Sequence, residues 1–194
     1  MSLLILIILF SLDNLFIGSI YAIKKIKVKF NLIILISLIN TCALLFSLIF
    51  GNFFKMLFPN YIIKIILFLP LFLFGLYNIF QEKIKSYISK YFHNKFVNVF
   101  LDETKADFNK SNDLSVYECL ILSIVLSLDS LFGGISFTSY NINIYLVLFV
   151  FWFINLFFFL VGNIIGKKVN KFINVDFSLV SGIIFIIFSI INLF

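Results

Sequence analysis

Six apolar runs of about twenty residues dominate this sequence, and a helix of that length matches the thickness of a bilayer's hydrocarbon core. They lie near 3–23, 31–54, 61–80, 118–138, 142–165 and 177–194, bounded by lysine clusters, proline and polar residues. Backbone groups in hydrocarbon must find partners within their own segment, and these unbroken stretches are far too long for barrel strands, so each run is expected to be a helix. With 62% hydrophobic and only 12% charged residues, the chain cannot be hydrated on every side, which excludes a soluble globular domain. The opening MSLLILIILF has no basic region and no small-residue cleavage site before Asp13, so it reads as a first span rather than a removable signal peptide.

The charge of +6 comes entirely from lysine, and lysine placement sets orientation. Lys24, Lys25, Lys27 and Lys29 follow the first span. Lys83, Lys85, Lys90, Lys95, Lys105 and Lys110 follow the third, and Lys167, Lys168 and Lys171 follow the fifth. These loops share one side and leave only Lys55 and Lys64 near the other, which predicts N and C termini outside the cytoplasm. The charge is thereby accounted for, and no nucleic acid is expected. Three units follow: a first three-helix repeat over 1–81, a cytoplasmic connection over 82–117, and a second repeat over 118–194.

The repeat is visible in the residues. ILFSLDNLFIGS from Ile8 matches IVLSLDSLFGGI from Ile124 at an offset of 116. LFSLIFGN ending at Asn52 matches LFFFLVGN ending at Asn163 at 111, and FGLYNIF from Phe74 matches FSIINLF from Phe188 at 114. Three is an odd number of crossings, so the second copy enters from the opposite side. The expected fold is an all-α membrane protein with six transmembrane helices in a 3+3 inverted-topology repeat, a plan whose substrate sites lie near the midplane where the halves meet.

Two acidic residues fall well inside spans, Asp13 and Asp129, each in a copy of SLD. A carboxylate at the centre of a membrane helix costs about 2.5–3.5 kcal/mol on insertion scales. No intramembrane Lys or Arg serves as counter-ion, so the carboxylates are either protonated or bind cations. Neighbouring oxygen donors are Ser11, Asn14, Ser127 and Ser130, with Asn40 and Asn155 in the middle of the second and fifth spans. Carboxylate, amide and hydroxyl oxygens suit Mn²⁺, Mg²⁺ or Ca²⁺, whereas zinc or copper would recruit His, Cys or Met. The candidate metal ligands are therefore Asp13, Asn14, Asp129, Ser130, Asn40 and Asn155. Helix capping would be the structural reading of the aspartates, and interhelical bonding that of the asparagines. The offset between Asn40 and Asn155 is 115, which conflicts with 111, so they are not treated as equivalent.

Other features carry less. Gly18, Ser19, Gly133, Gly134 and Ser136 follow the aspartates and permit close helix approach or local unwinding. Pro70 is expected to kink the third span, and its repeat equivalent is Ile184. Asn78 and Asn192 match across the repeat as weak gate candidates. Cys42 and Cys119 read as small apolar fillers. From Glu82 to about Phe100, apolar residues recur at helical spacing opposite lysines, which predicts an amphipathic helix in the headgroup region; His93 stands on it alone.

The segment DFNKSNDLSVYE, from Asp107 to Glu118, has the ligand spacing of an EF-hand calcium loop. Asp107, Asn109, Ser111, Asp113 and Glu118 are its candidate ligands, with Asn112 where glycine is usual. The alternative is a solvated loop that caps the fourth span.

SLDNLFIGSIYAIKKIKV, ADFNKSNDLS and LSIVLSLDSLFGGIS together resemble the sporulation membrane proteins of the YtaF type, relatives of the manganese efflux pump (MntP) family in the lysine-exporter-like superfamily. The resemblance implies a multi-pass protein of the bacterial cell membrane, with Asp13 and Asp129 matching the paired family aspartates. Manganese exporters carry an acidic residue in helix two where this chain has Asn40. The function expected is divalent-cation export through a midplane site, not enzymatic catalysis. The alternatives are a non-transporting sensor or scaffold with a calcium-binding loop, and export of a small cationic solute. No cofactor is expected to be bound permanently; a divalent cation is the substrate or loop ligand. The lipid bilayer, that cation and protons are the expected partners, and a homodimer is left open.

Overall fold

The computed structural model describes residues 2–91, 94–138 and 143–168, together with 183, 186, 187 and 190. Its helices are α1 (Ser2–Ile23), α2 (Phe30–Leu57), α3 (Asn60–Tyr91), α4 (Lys95–Leu101), α5 (Val116–Phe137) and α6 (Ile144–Lys168), with a 3-10 turn over Glu103–Ala106. No strand is present among the described residues. Among the described residues three helices are long and apolar enough to cross a bilayer: Leu3–Ile23, Phe30–Leu57 and Ile144–Lys168. The sixth predicted span, with Asn192, lies almost wholly outside the described residues, as do His93 and the side chain of Asn78.

Local chemistry ends and starts these helices. Pro59 disfavours helical backbone at the residue before it, and Phe58 is accordingly extended (φ −119°, ψ 147°), which stops α2. The end of α1 closes as a Schellman turn: Ile26 N donates to Tyr21 O at 2.8 Å and Lys25 N to Ala22 O at 3.2 Å. Lys25 takes the left-handed position at φ 60°, usually glycine's, and Ile26 and Tyr21 pack in one apolar cluster. Ser115 and Glu118 start α5 as a capping box. Glu118 Oε2 accepts from Ser115 N at 2.9 Å, and Ser115 Oγ accepts from Glu118 N at 3.4 Å.

The helices pair crosswise. The most extensive packing is of α1 on α6 and of α2 on α5; α2 also touches α6, and α3 lies against α5. Glycines set the closest approaches. A Cβ on Gly18 would collide with the Phe159 carbonyl, and one on Gly162 with the Leu15 carbonyl. One on Gly134 would sit 2.7 Å from Ser47 Cβ. Gly18 and Gly134 thus serve close packing, and α1 and α5 run through them without unwinding.

Two features of the long connection differ from the sequence reading. The helix expected to lie flat from Glu82 is the uninterrupted continuation of α3 to Tyr91, which contains Pro70 without ending there. Helical propensity alone carries the helix onward, because nothing in QEKIKSYISKY breaks it. Beyond it the chain tucks under the bundle. Val99, Ala106 and Leu114 join the apolar cluster of Ile17, Tyr21, Leu122 and Phe159, and Phe100 stacks obliquely on Tyr77 with ring centroids 5.8 Å apart. The segment is stitched to the α1–α2 turn by Lys27 N to Asn112 O at 2.7 Å and Leu114 N to Lys27 O at 3.1 Å.

Candidate functional site

Apolar side chains of the bundle form two separate clusters. One, at the lysine-rich end, takes Ile17 and Tyr21 from α1, Ile33 and Ile36 from α2, Leu122, Val125 and Leu126 from α5, and Phe159 from α6. The other takes Leu6, Ile7, Leu9 and Phe10 of α1, Leu44 and Leu48 of α2, Phe137 of α5 and Phe151 of α6. On each of the four helices the residues between the two clusters include the polar ones: Ser11, Asp13 and Asn14; Ser37 and Asn40; Ser127, Asp129 and Ser130; and Asn155. Helical periodicity turns these residues toward one another because they share a face with the apolar contacts above and below them. The result is a polar layer inside an apolar bundle.

The layer is rich in acceptors, and its donors are largely engaged. Ser11 Oγ donates to Ile7 O, Ser37 Oγ to Ile34 O and Ser127 Oγ to Ile124 O, each at 2.8 Å, so these hydroxyls leave oxygen lone pairs free. Asn14 donates its amide to Asn155 Oδ1, and Asn155 Nδ2 donates to Phe151 O at 2.8 Å. Asn14 and Asn40 are each 1% exposed, yet neither Oδ1 has a hydrogen-bond partner among the described residues. A buried acceptor left without a donor costs about 1–3 kcal/mol. Asp13 and Asp129 are half-buried in the same layer. Among the described residues no group of three or more His, Cys, Asp or Glu is placed to hold a metal. A cation in this layer would therefore be met by two carboxylates at most, completed by amide and hydroxyl oxygens, a donor set suited to hard cations.

The contacts of α1 with α6 recur between α5 and α2. Gly18 meets Phe159 as Gly134 meets Leu44; Leu15 meets Gly162 as Leu131 meets Ser47; and Ala22 meets Gly166 as Thr138 meets Gly51. Every one of these pairs relates α1 to α5 by 116 residues and α2 to α6 by 115. The sequence match at 111 is thus one helical turn out of register with the contacts. Gly162 and Gly166 lie on one face a turn apart, and the string match paired Gly51 with the wrong one. At 115, Asn40 corresponds to Asn155.

The 107–118 loop is folded tightly by its own hydrogen bonds. Asp107 accepts from Ser111 N at 3.1 Å and Asn112 N at 3.0 Å, and Asn112 is left-handed at φ 60°. Asn109 Oδ1 accepts from Ser111 N at 2.9 Å, and Ser111 Oγ donates to Asp113 O at 2.8 Å. Glu118, 3% exposed, accepts on Oε1 from Phe108 N at 2.9 Å and on Oε2 from Ser115 N and Oγ. Ser115 and Glu118 give the segment the capping role that the sequence offered beside the EF-hand reading, with S-x-x-E as its signal.

Glu103 is a group the sequence did not single out. It reaches the bundle from the 3-10 turn; its carboxylate and that of Asp13 repel one another, and Lys85 attracts both. Burial pushes the Glu103 carboxyl up from its ordinary range, against the pull of Lys85.

Long apolar helices enclosing a layer of oxygen acceptors define a multi-pass membrane protein with a polar interior. The family model described as "Putative manganese efflux pump" matches residues 93–193, just over half of the chain, and the protein belongs to that family. Over 150 residues it is 26% identical to the "Probable sporulation protein YtaF" of Bacillus subtilis (strain 168), covering 69% of this chain and 70% of that one. No solved structure matches. The chain is a multi-pass protein of the bacterial cell membrane.

Proposed function

We propose that this protein exports a divalent cation of the Mn²⁺ type through the polar layer, with Asp13 and Asp129 as its charged ligands. One observation carries the reading: the buried layer holds two amide oxygens, of Asn14 and Asn40, that have no donor among the described residues. A cation supplies what those oxygens lack and neutralises the carboxylates that hydrocarbon would otherwise penalise. Membership of a family described as a manganese efflux pump supports the same direction of transport.

The crosswise recurrence of contacts supports a 3+3 repeat with six spans, and the lysine clusters after the first, third and fifth spans support inverted halves with both termini outside. In such a bundle α1 with α6 and α5 with α2 are equivalent interfaces, and rocking of one half against the other exposes the layer to each side in turn. Protons returning to the carboxylates would reset the cycle. No phosphate-binding glycine loop is present in the sequence, so an ion gradient is the energy source in this reading.

The test is Mn²⁺ flux in proteoliposomes loaded with a manganese-quenched dye. Asp13→Asn and Asp129→Asn should each abolish flux while leaving the purified protein monodisperse. Wild-type flux in both variants overturns the site.

A further inference from the structure

The contact register exchanges the two apolar clusters that flank the polar layer. At 116 Tyr21 of α1 corresponds to Phe137 of α5, and at 115 Ile36 and Leu44 of α2 correspond to Phe151 and Phe159 of α6. Tyr21, Ile36 and Phe159 belong to the lysine-rich end, whereas Phe137, Phe151 and Leu44 belong to the other. Every pair therefore has one member on each side of the layer. Tyr21 and Phe137 are both fully buried, and each stands eight residues, about 12 Å of helix, beyond the aspartate of its own SLD. Phe137 leans on Phe10 of α1 with ring centroids 5.8 Å apart, and the residues corresponding to that pair, Tyr21 and Leu126, lie together in the other cluster. The match ends at the Tyr21 hydroxyl. It donates to the Glu103 carbonyl at 2.8 Å, and Val99, Ala106 and Leu114 of the connection join its cluster. Phenylalanine has no hydroxyl, and among the described residues none from 95–115 enters the cluster of Phe137.

We propose that Tyr21 and Phe137 are the paired gates of the transport cycle. The Tyr21 ring closes the layer toward the lysine-rich, cytoplasmic end, the Phe137 ring closes it toward the outside, and the bond to Glu103 latches the cytoplasmic gate alone. Access from two sides in turn requires a removable barrier at each end, and a repeat that carries one apolar plug onto the other supplies both. The two barriers differ in kind. Outward opening parts apolar surfaces such as those of Phe137 and Phe10, whereas inward opening also breaks a hydrogen bond whose acceptor belongs to the connection. That bond biases the unloaded protein against opening to the cytoplasm. The inference rests on the alternating-access reading above and goes beyond it in naming the gates and what makes them unequal.

The experiment places a reporter thiol in the layer by Ser127→Cys, in the full chain carrying Cys42→Ala and Cys119→Ala. Its reaction with a membrane-impermeant methanethiosulfonate is followed from either face of oriented vesicles, without manganese. Tyr21→Phe keeps the ring and removes the latch, so labelling from the cytoplasmic face should rise about two- to tenfold, the net worth of one hydrogen bond, while labelling from the outer face stays as it was. Phe137→Ala should do the reverse, raising labelling from the outer face about tenfold or more. Where Phe137→Ala does not stay monodisperse, Phe137→Leu takes its place and should give a smaller rise from the outer face alone. A rise from both faces in either variant would mean a loosened bundle rather than a gate, and an unchanged cytoplasmic rate in Tyr21→Phe would remove the latch; each overturns the proposal. Labelling needs no cation, so it succeeds or fails separately from Mn²⁺ flux. Symmetric labelling with intact flux rejects these gates and keeps the transport reading, whereas one-sided labelling without flux rejects manganese as the cargo and keeps the gates.

Discussion

The Tyr21 hydroxyl on α1 donates to the Glu103 backbone carbonyl at 2.8 Å, joining the helix that carries Asp13 to the connection between the halves. Tyr21 is fully buried and lies eight residues, about two turns, along α1 from Asp13. With Val99, Ala106 and Leu114 buried beside it, the connection is part of the bundle's core at the lysine-rich end. Tyr21→Phe removes the donor and with it this bond between α1 and the connection, at about 0.5–1.5 kcal/mol. Trypsin should then cut at Lys105 and Lys110 several times faster than in wild type, as followed by mass spectrometry of the purified protein. Equal cleavage rates would mean that the bond does not hold the connection in place.

Glu103 makes the same docking sensitive to pH. Burial raises its carboxyl pKa in the folded state, so folding takes up a proton there. The stabilisation is complete below the unfolded carboxylate range and is lost as pH rises through the elevated folded value. Lys85 and Tyr77 face it from α3, Tyr21 and Asp13 from α1, and Asp102 precedes it in the chain. Thermal melting in detergent should therefore fall as pH rises above the ordinary carboxylate range, and Glu103→Gln should flatten that slope. A slope unchanged in Glu103→Gln would assign the effect to another group.

The glycine crossings predict a sharp positional contrast on α6. A Cβ at Gly162 would meet the Leu15 carbonyl, a backbone atom that cannot swing aside, so the helices must separate. Overpacking of this kind costs about 1–3 kcal/mol, and Gly162→Ala should lower the melting temperature by several degrees. Ile164→Ala, at an exposed position on the same helix, should change it little. Comparable losses in both would show that α6 does not pack as closely on α1 as its glycines indicate.

Much of this was legible in the residues. Apolar runs gave the positions of α1, α2, α5 and α6 because hydrocarbon imposes one length and one backbone structure. The isolated charges of Asp13 and Asp129 marked the layer because carboxylates are so costly there. The partnership of Asn40 and Asn155 was hidden for a physical reason: Gly162 and Gly166 repeat every helical turn, so a string match slips by four residues where a packed interface cannot. Glu103 was invisible for another. Its docking on Tyr21 depends on a chain reversal through α4, which no local periodicity encodes.

The 107–118 loop offers the clearest choice between ion binding and capping. Both Glu118 oxygens accept from the Phe108 and Ser115 backbone and from the Ser115 hydroxyl, and these bonds hold its carboxyl below the ordinary range despite the cost of burying it. Ser115→Ala should remove one arm of the capping box at about 1 kcal/mol, and Glu118→Gln should lose the charge-assisted bonds at about 1.5–3 kcal/mol. Both should lower the melting temperature whether or not calcium is present. Calcium added at micromolar levels should leave wild-type melting unchanged, since the loop's carboxylates already serve its own backbone donors. A calcium-dependent rise in melting temperature that Glu118→Gln abolishes would reverse this assignment and make the loop an ion site.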